Sequence, residues 1–133
     1  MPIINVIFKL GDGSKLNNDS FGLLAQRLTE STVRVLKKKR ELTVVRINHD
    51  TSNAQWFSGG KPLLGNAFEI TIKITNKSNT QEEVSTWSRE AYESVIHELG
   101  GFEGPNYISV LQNDETNWGF NGLTQYARKQ WAS

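Results

Sequence analysis

The sequence predicts an α/β (α+β) fold in which two tandem β-α-β units build one four-stranded sheet with two helices on one face. Three observations carry that prediction. The chain is written twice, from Pro2 to Gly60 and again from Ala67 to Gly122, and each copy closes on a Trp-containing, glycine-ended segment, Trp56–Gly60 and Trp118–Gly122. Each copy opens on an isoleucine-rich run that alternates with the period of a strand. Each then carries an apolar stripe at helical spacing followed by a second Val/Ile run. A helical crossover makes the two long strands of a unit parallel. Placing both helices on one face of a shared sheet is the economical packing. At 133 residues the chain is one domain of two units, about 1–62 and 66–133.

Pro2 to Leu10 reads as the first strand, with Ile4, Val6, Phe8 and Leu10 on one face and Ile3 and Ile7 on the other. Apolar residues on both faces predict that a second surface covers this strand. The turn Gly11–Lys15 leads to a helix starting near Asn18–Ser20, with Phe21, Leu24, Leu28 and Val35 on its apolar side. That helix is expected to end in Lys37–Arg40, where cations complement the negative end of the helix dipole. Leu42–Ile47 is the second strand, Asp50–Lys61 a hairpin or tight loop, and Pro62–Asn66 the link between units.

In the second copy Ile70, Ile72 and Ile74 point inward and Thr71 and Lys73 outward. Thr80–Glu83 has the form of a capping box. Val84, Trp87, Ala91, Val95 and Leu99 form one helical stripe that Gly100 and Gly101 stop. Trp87 belongs to the core. Tyr107–Leu111 is the last long strand, and Asn113–Gly122 repeats the hairpin.

Composition narrows the function. A net charge of +1 argues against a nucleic-acid or membrane partner. The absence of cysteine removes disulfides and thiolate chemistry. His49 and His97 lie in different elements, so no metal is expected. No apolar run is long enough to span a bilayer, and the start of the chain lacks the pattern of a signal peptide. The expectation is a cytoplasmic protein.

Pro2 supplies the chemistry. A small residue behind Met1 lets the methionine be trimmed, which leaves a secondary amine at the new N-terminus. An α-amino group titrates at roughly 7.7–8.0, and burial lowers a basic nitrogen further. Proton-transfer catalysis needs a base poised near neutrality.

Pro2 opening the first strand, the turn Asn76–Gln81 and the two Trp hairpins together resemble the tautomerase superfamily, whose simplest member is 4-oxalocrotonate tautomerase. In size the chain is similar to the fused members, such as malonate semialdehyde decarboxylase-like and cis-3-chloroacrylic acid dehalogenase-like proteins. The resemblance implies a homotrimer with no cofactor, acting on a small-molecule carboxylate substrate. It implies that Pro2 is the catalytic base and that one site exists per chain, because Ala67 opens the second unit inside the chain. Relatives bind the substrate carboxylate through arginines in the turn after a first strand. Here that turn offers Asp12 in one unit and Lys77 in the other, so Lys77 is the implied carboxylate binder. Arg46 matches a second-strand arginine, and Trp118 matches the aromatic wall of the pocket.

Two departures bear on the reaction. The dehalogenase-like branch needs a carboxylate in the last hairpin, where this chain has Phe120. The decarboxylase-like branch uses an aspartate in the first helix-to-strand connection, which here is Lys37–Glu41. The parts for enolisation remain. The expected function is therefore tautomerisation of a small 2-oxo or 2-hydroxy-dienoic acid. Decarboxylation, hydration or dehalogenation of a small three-carbon acid is the alternative within the superfamily. A ferredoxin-like RNA-binding module is the alternative outside it, although no basic-glycine-aromatic signature lies on a central strand. A catalytically silent trimer is a further alternative.

Overall fold

The computed structural model describes residues 1–101 and 104–132. A four-stranded sheet runs in the order β2-β1-β5-β6, built from β1 (Ile3–Lys9), β2 (Val44–His49), β5 (Ala67–Thr75) and β6 (Tyr107–Asn113). The helices α1 (Ser20–Arg34) and α2 (Gln81–Leu99) are the two crossovers. Each crossover pairs its strands in parallel, β1 with β2 and β5 with β6. The units meet antiparallel along β1 and β5, with Ile3 opposite Lys73 and Lys9 opposite Ala67. Two short hairpins, β3 (Phe57–Ser58) with β4 (Lys61–Pro62) and β7 (Gly119–Phe120) with β8 (Leu123–Thr124), close the units.

One core lies between the sheet and the helices. Ile4, Val6 and Phe8 of β1 and Ile70, Ile72 and Ile74 of β5 meet Leu24 and Leu28 of α1 and Trp87, Ala91 and Val95 of α2, all at most 1% exposed. Trp87 is wholly buried, and its indole N–H donates to the Thr32 hydroxyl at 3.0 Å, which satisfies both groups. The opposite sheet face carries no helix. Ile3, Ile7, Val44, Tyr107 and Leu111 share it with Arg46, Glu69 and Lys73.

The expected capping box is present. The Glu83 N–H donates to the Thr80 hydroxyl at 3.1 Å, and the Thr80 N–H to the Glu83 carboxylate at 2.9 Å. Gly100 ends α2 at φ +96°, a conformation that costs glycine little. No helix among the described residues is long and apolar enough to cross a membrane.

Four local expectations change. First, α1 stops at Arg34, before the Lys37–Arg40 run, because Lys37 takes a left-handed φ of +60°. Lys37 still serves the helix end by donating to the Arg34 carbonyl at 2.8 Å, but Lys38 and Lys39 lie beyond it. Second, a 3-10 turn at Arg40–Leu42 delays β2 by two residues, to Val44. Third, Phe21 is at the margin of the core rather than within it, its ring edge-on to Phe8 at 5.8 Å. Fourth, an unforeseen helix, α3 (Gln125–Ala132), follows the second hairpin. Arg128 fastens it by donating to the Phe120 carbonyl at 2.6 Å and lying 3.7 Å over the Phe120 ring.

Candidate active site

The antiparallel meeting of β1 and β5 brings the start of the chain to the end of β5. Pro2 is buried there, and its carbonyl accepts from the Val44 N–H at 3.2 Å. The terminal amine, on Met1, is pushed down to about 6, first by burial and then by the charges of Lys38 and Lys39. That amine stands one residue ahead of the Pro2 nitrogen and marks the electrostatics at the mouth of this pole.

Lys38 is the cation that sequence reasoning assigned to the helix end. It is half-buried, which lowers its ammonium below the usual lysine value, while Glu83 acts in the opposite sense. Its Nζ donates to the Ser78 hydroxyl at 2.8 Å. Lys38 follows Val35 and Leu36, both buried, and leaves α1 through the left-handed turn at Lys37.

Lys77 lies in the turn after β5 at φ +63°. It borders a cleft of about 510 Å³ with Thr75, Ser78, Asp114, Glu115 and Tyr126. Asp114 is held below the usual carboxylate range, first by hydrogen bonds from the Thr116 side chain and backbone and then by the Lys77 charge. Trp118 reaches the same end of the sheet, its indole N–H donating to the Thr75 hydroxyl at 3.2 Å.

Arg46 is placed differently. It is exposed on the open sheet face, opposite Asn5, beside a depression of about 280 Å³ that Asn48, Thr71 and Lys73 also line. Within one chain the fold gathers Pro2, Lys38, the Lys77 turn and Trp118 at one pole, and leaves Arg46 on the face between poles. A larger groove of about 610 Å³ runs between α1 and α2. Its charges are answered in pairs, Arg27 with Glu98, Arg34 with Glu90 and Arg89 with Glu93, so it offers no unanswered group for chemistry. Among the described residues no cluster of three or more His, Asp or Glu side chains is placed to hold a metal.

No protein-family model matches the chain, and no curated protein sequence matches it significantly. Solved structures do. Pt0534 inactivated by 2-oxo-3-pentynoate superposes with a TM-score of 0.79 at 13% identity, covering 94% of this chain and 98% of that one. A fused 4-OT, a wild-type symmetric trimer, superposes at 0.78 and 16% identity, covering 95% and 98%. A macrophage migration inhibitory factor-like protein from Entamoeba histolytica superposes at 0.71 and 15% identity, covering 92% and 97%. This chain shares the fold of these proteins, the tautomerase-like fold that the doubled units and hairpins had implied.

Proposed function

We propose that this chain is a cofactor-independent tautomerase that uses Pro2, exposed by removal of Met1, as general base on a small 2-oxo or 2-hydroxy-dienoic acid. The observation that carries the reading is the place of Pro2, buried at the start of β1 one residue behind a Met1 amine that burial and the charges of Lys38 and Lys39 lower to about 6. Burial and the same two lysines would act in the same direction on a Pro2 amine, favouring the neutral form that accepts a proton.

The chemistry then follows from the residues at the pole. The Pro2 nitrogen takes a proton from the carbon alpha to the carbonyl, and the C–H electron pair moves into a dienolate. The Lys38 and Lys77 ammonium groups hold the substrate carboxylate and stabilise the negative charge on oxygen. The prolinium returns its proton to the far end of the conjugated system, which restores the neutral base. Trp118 gives the apolar wall that keeps water from the amine. The reaction is an isomerisation, so protons and electrons balance without a cofactor.

The neighbouring carboxylates support isomerisation over hydration. Asp114 already accepts from the Thr116 N–H at 2.9 Å and hydroxyl at 2.7 Å, and its lowered pKa makes it a weak base for activating water. Glu115 is paired with Lys129 at 2.6 Å. Arg46 enters the reading through assembly. The open sheet face fits packing of three copies about an axis, and in that homotrimer Arg46 would be buried against a second copy near its site.

The test is tautomerisation of phenylpyruvate and 2-hydroxymuconate by the intact protein and by Pro2→Ala, with sedimentation run alongside. Activity that needs Pro2, in a protein that sediments as a trimer, is the expected result. Full activity in Pro2→Ala, or in protein whose intact mass retains Met1, would remove the proline base.

A further inference from the structure

We propose that Ser78 and Asn79, in the turn between β5 and α2, are positioning residues that hold the Lys38 ammonium beside the N-terminal amine. The inference rests on reading Lys38 as a carboxylate-binding cation. Lysine is a point charge on a flexible four-carbon stem, so it makes an effective anion site only where its surroundings fix it. The segment that carries Lys38 has left α1 and has not yet entered β2. The backbone N–H of Lys38 itself makes only a long hydrogen bond, to the Thr32 carbonyl at 3.3 Å.

The turn supplies the missing restraint twice. The Ser78 hydroxyl gives its one proton to the Thr75 carbonyl, which leaves its lone pairs to accept from Lys38 Nζ at 2.8 Å. One of the three ammonium protons is committed to that bond, and among the described residues no other hydrogen-bond acceptor takes the remaining two, which leaves them for a carboxylate. The Asn79 amide donates to the Leu36 carbonyl at 2.9 Å and to the Glu83 carboxylate at 3.1 Å. It thereby ties the Lys38 segment to the capping box of α2. Glu83 is itself fixed by the Thr80 N–H. The first turn of the longest helix thus becomes the anchor for a lysine that comes from the other unit. Lys77 sits beside Ser78 in the same turn, so one short segment sets the spacing of both cations.

The experiment uses the full-length protein, with Ser78→Ala, Asn79→Asp, Ser78→Thr, Lys38→Ala and the Lys38→Ala/Ser78→Ala double variant. The kinetic substrate is phenylpyruvate. An unreactive carboxylate, trans-cinnamate, is titrated against the side-chain NMR signals of the lysines. Ser78→Ala is expected to raise KM about tenfold with kcat changed less, and to weaken cinnamate binding by a similar factor. Asn79→Asp, which removes the donor at constant shape, is expected to do the same. Ser78→Thr restores the hydroxyl and should recover both values. The double variant should be no worse than Lys38→Ala, because a positioning residue loses its effect once its charge is gone.

Ser78→Ala with wild-type KM and wild-type cinnamate affinity would overturn the inference, as would additive losses in the double variant. Cinnamate affinity independent of Lys38 would overturn it too. Cinnamate binding that depends on Lys38 and Ser78, in a protein without Pro2-dependent turnover, would uphold the positioning role and remove the tautomerase reading alone.

Discussion

At the start of β1 the chain offers a terminal amine beside Lys38 and Lys39, whereas at the start of β5 the matching position is Ala67, buried within a continuous chain. The surroundings diverge with the ends. At the first pole the turn after β5 stands open, with Lys77 and Ser78 bordering a cleft. At the second pole the turn after β1 is pressed onto the link between units. The Gly11 N–H donates to the Asn66 side chain at 2.7 Å, and a Cβ on Gly11 would come within 2.5 Å of the Leu64 carbonyl oxygen. Lys9 bonds the Leu63 carbonyl there, so that cation is committed to structure. The hairpin tryptophans differ in the same sense. Trp118 bonds Thr75 at the end of β5, and Trp56 bonds Asp50 just beyond β2. The two units share a scaffold, but Ala67 has no counterpart of the amine that lies beside Lys38 and Lys39.

The largest expected effect lies at that amine. Pro2→Ala should lower kcat/KM by about a hundredfold or more, the scale of a lost general base. Ala67→Gly, at the matching place, should leave the rate unchanged in a phenylpyruvate assay. A comparable loss at Ala67 would mean that both poles take part.

Next come the cations. Lys38→Ala should cost ten- to a hundredfold in kcat/KM, and Lys77→Gly about tenfold, with KM carrying more of the change than kcat. Glycine is the fair replacement at Lys77, because it removes the charge while accepting the left-handed φ of +63°. Lys9→Met, at the other pole, should alter the melting temperature and not KM. Kinetics on the three variants sort the first pole's cations from the second's.

The tryptophans give a smaller contrast. Trp118→Phe removes a hydrogen bond worth about 1 kcal/mol. It should loosen the wall, with a loss of about fivefold in kcat/KM. Trp56→Phe should lose a similar increment of stability in urea unfolding with little change in rate.

The smallest effect concerns the helix starts. Thr80→Ala should cost about 1 kcal/mol of stability through the capping box. Asp19 makes no side-chain capping bond among the described residues, so Asp19→Ala should stay within about 0.5 kcal/mol.

The fold was legible because its signals are local and repeated. Isoleucine alternation from Ile70 to Ile74, the helical stripe through Trp87 and the capping box at Thr80 each report a structure set by near neighbours. Pro2 was singled out by its place behind Met1, and its role stands as the proposal that Pro2→Ala tests. Lys38 was not, since its meaning depends on two long-range facts. The left-handed turn at Lys37 takes it off α1, and the β1–β5 pairing brings the Ser78 turn beside it. Arg46 had the right strand, but its place on the open face follows from the alternation of Val45 and Ile47 into the core. The helix α3 is short and leaves Tyr126 and Trp131 exposed, and it is held by Arg128 on Phe120.

Catalysis by Pro2 requires its amine to be neutral and basic at pH 7, and burial with the nearby lysines would hold it so. A neutral amine prevails above its pKa, so kcat/KM should rise with pH through that value and then level off. The direct measurement is a pH titration of the Pro2 nitrogen by NMR on protein carrying nitrogen-15 proline. One transition is expected well below the ordinary α-amino range of about 7.7–8.0, coincident with the acid limb of the rate profile and raised in Lys38→Ala. A transition at or above that range, or a Pro2 nitrogen still blocked by Met1 in active protein, would contradict it.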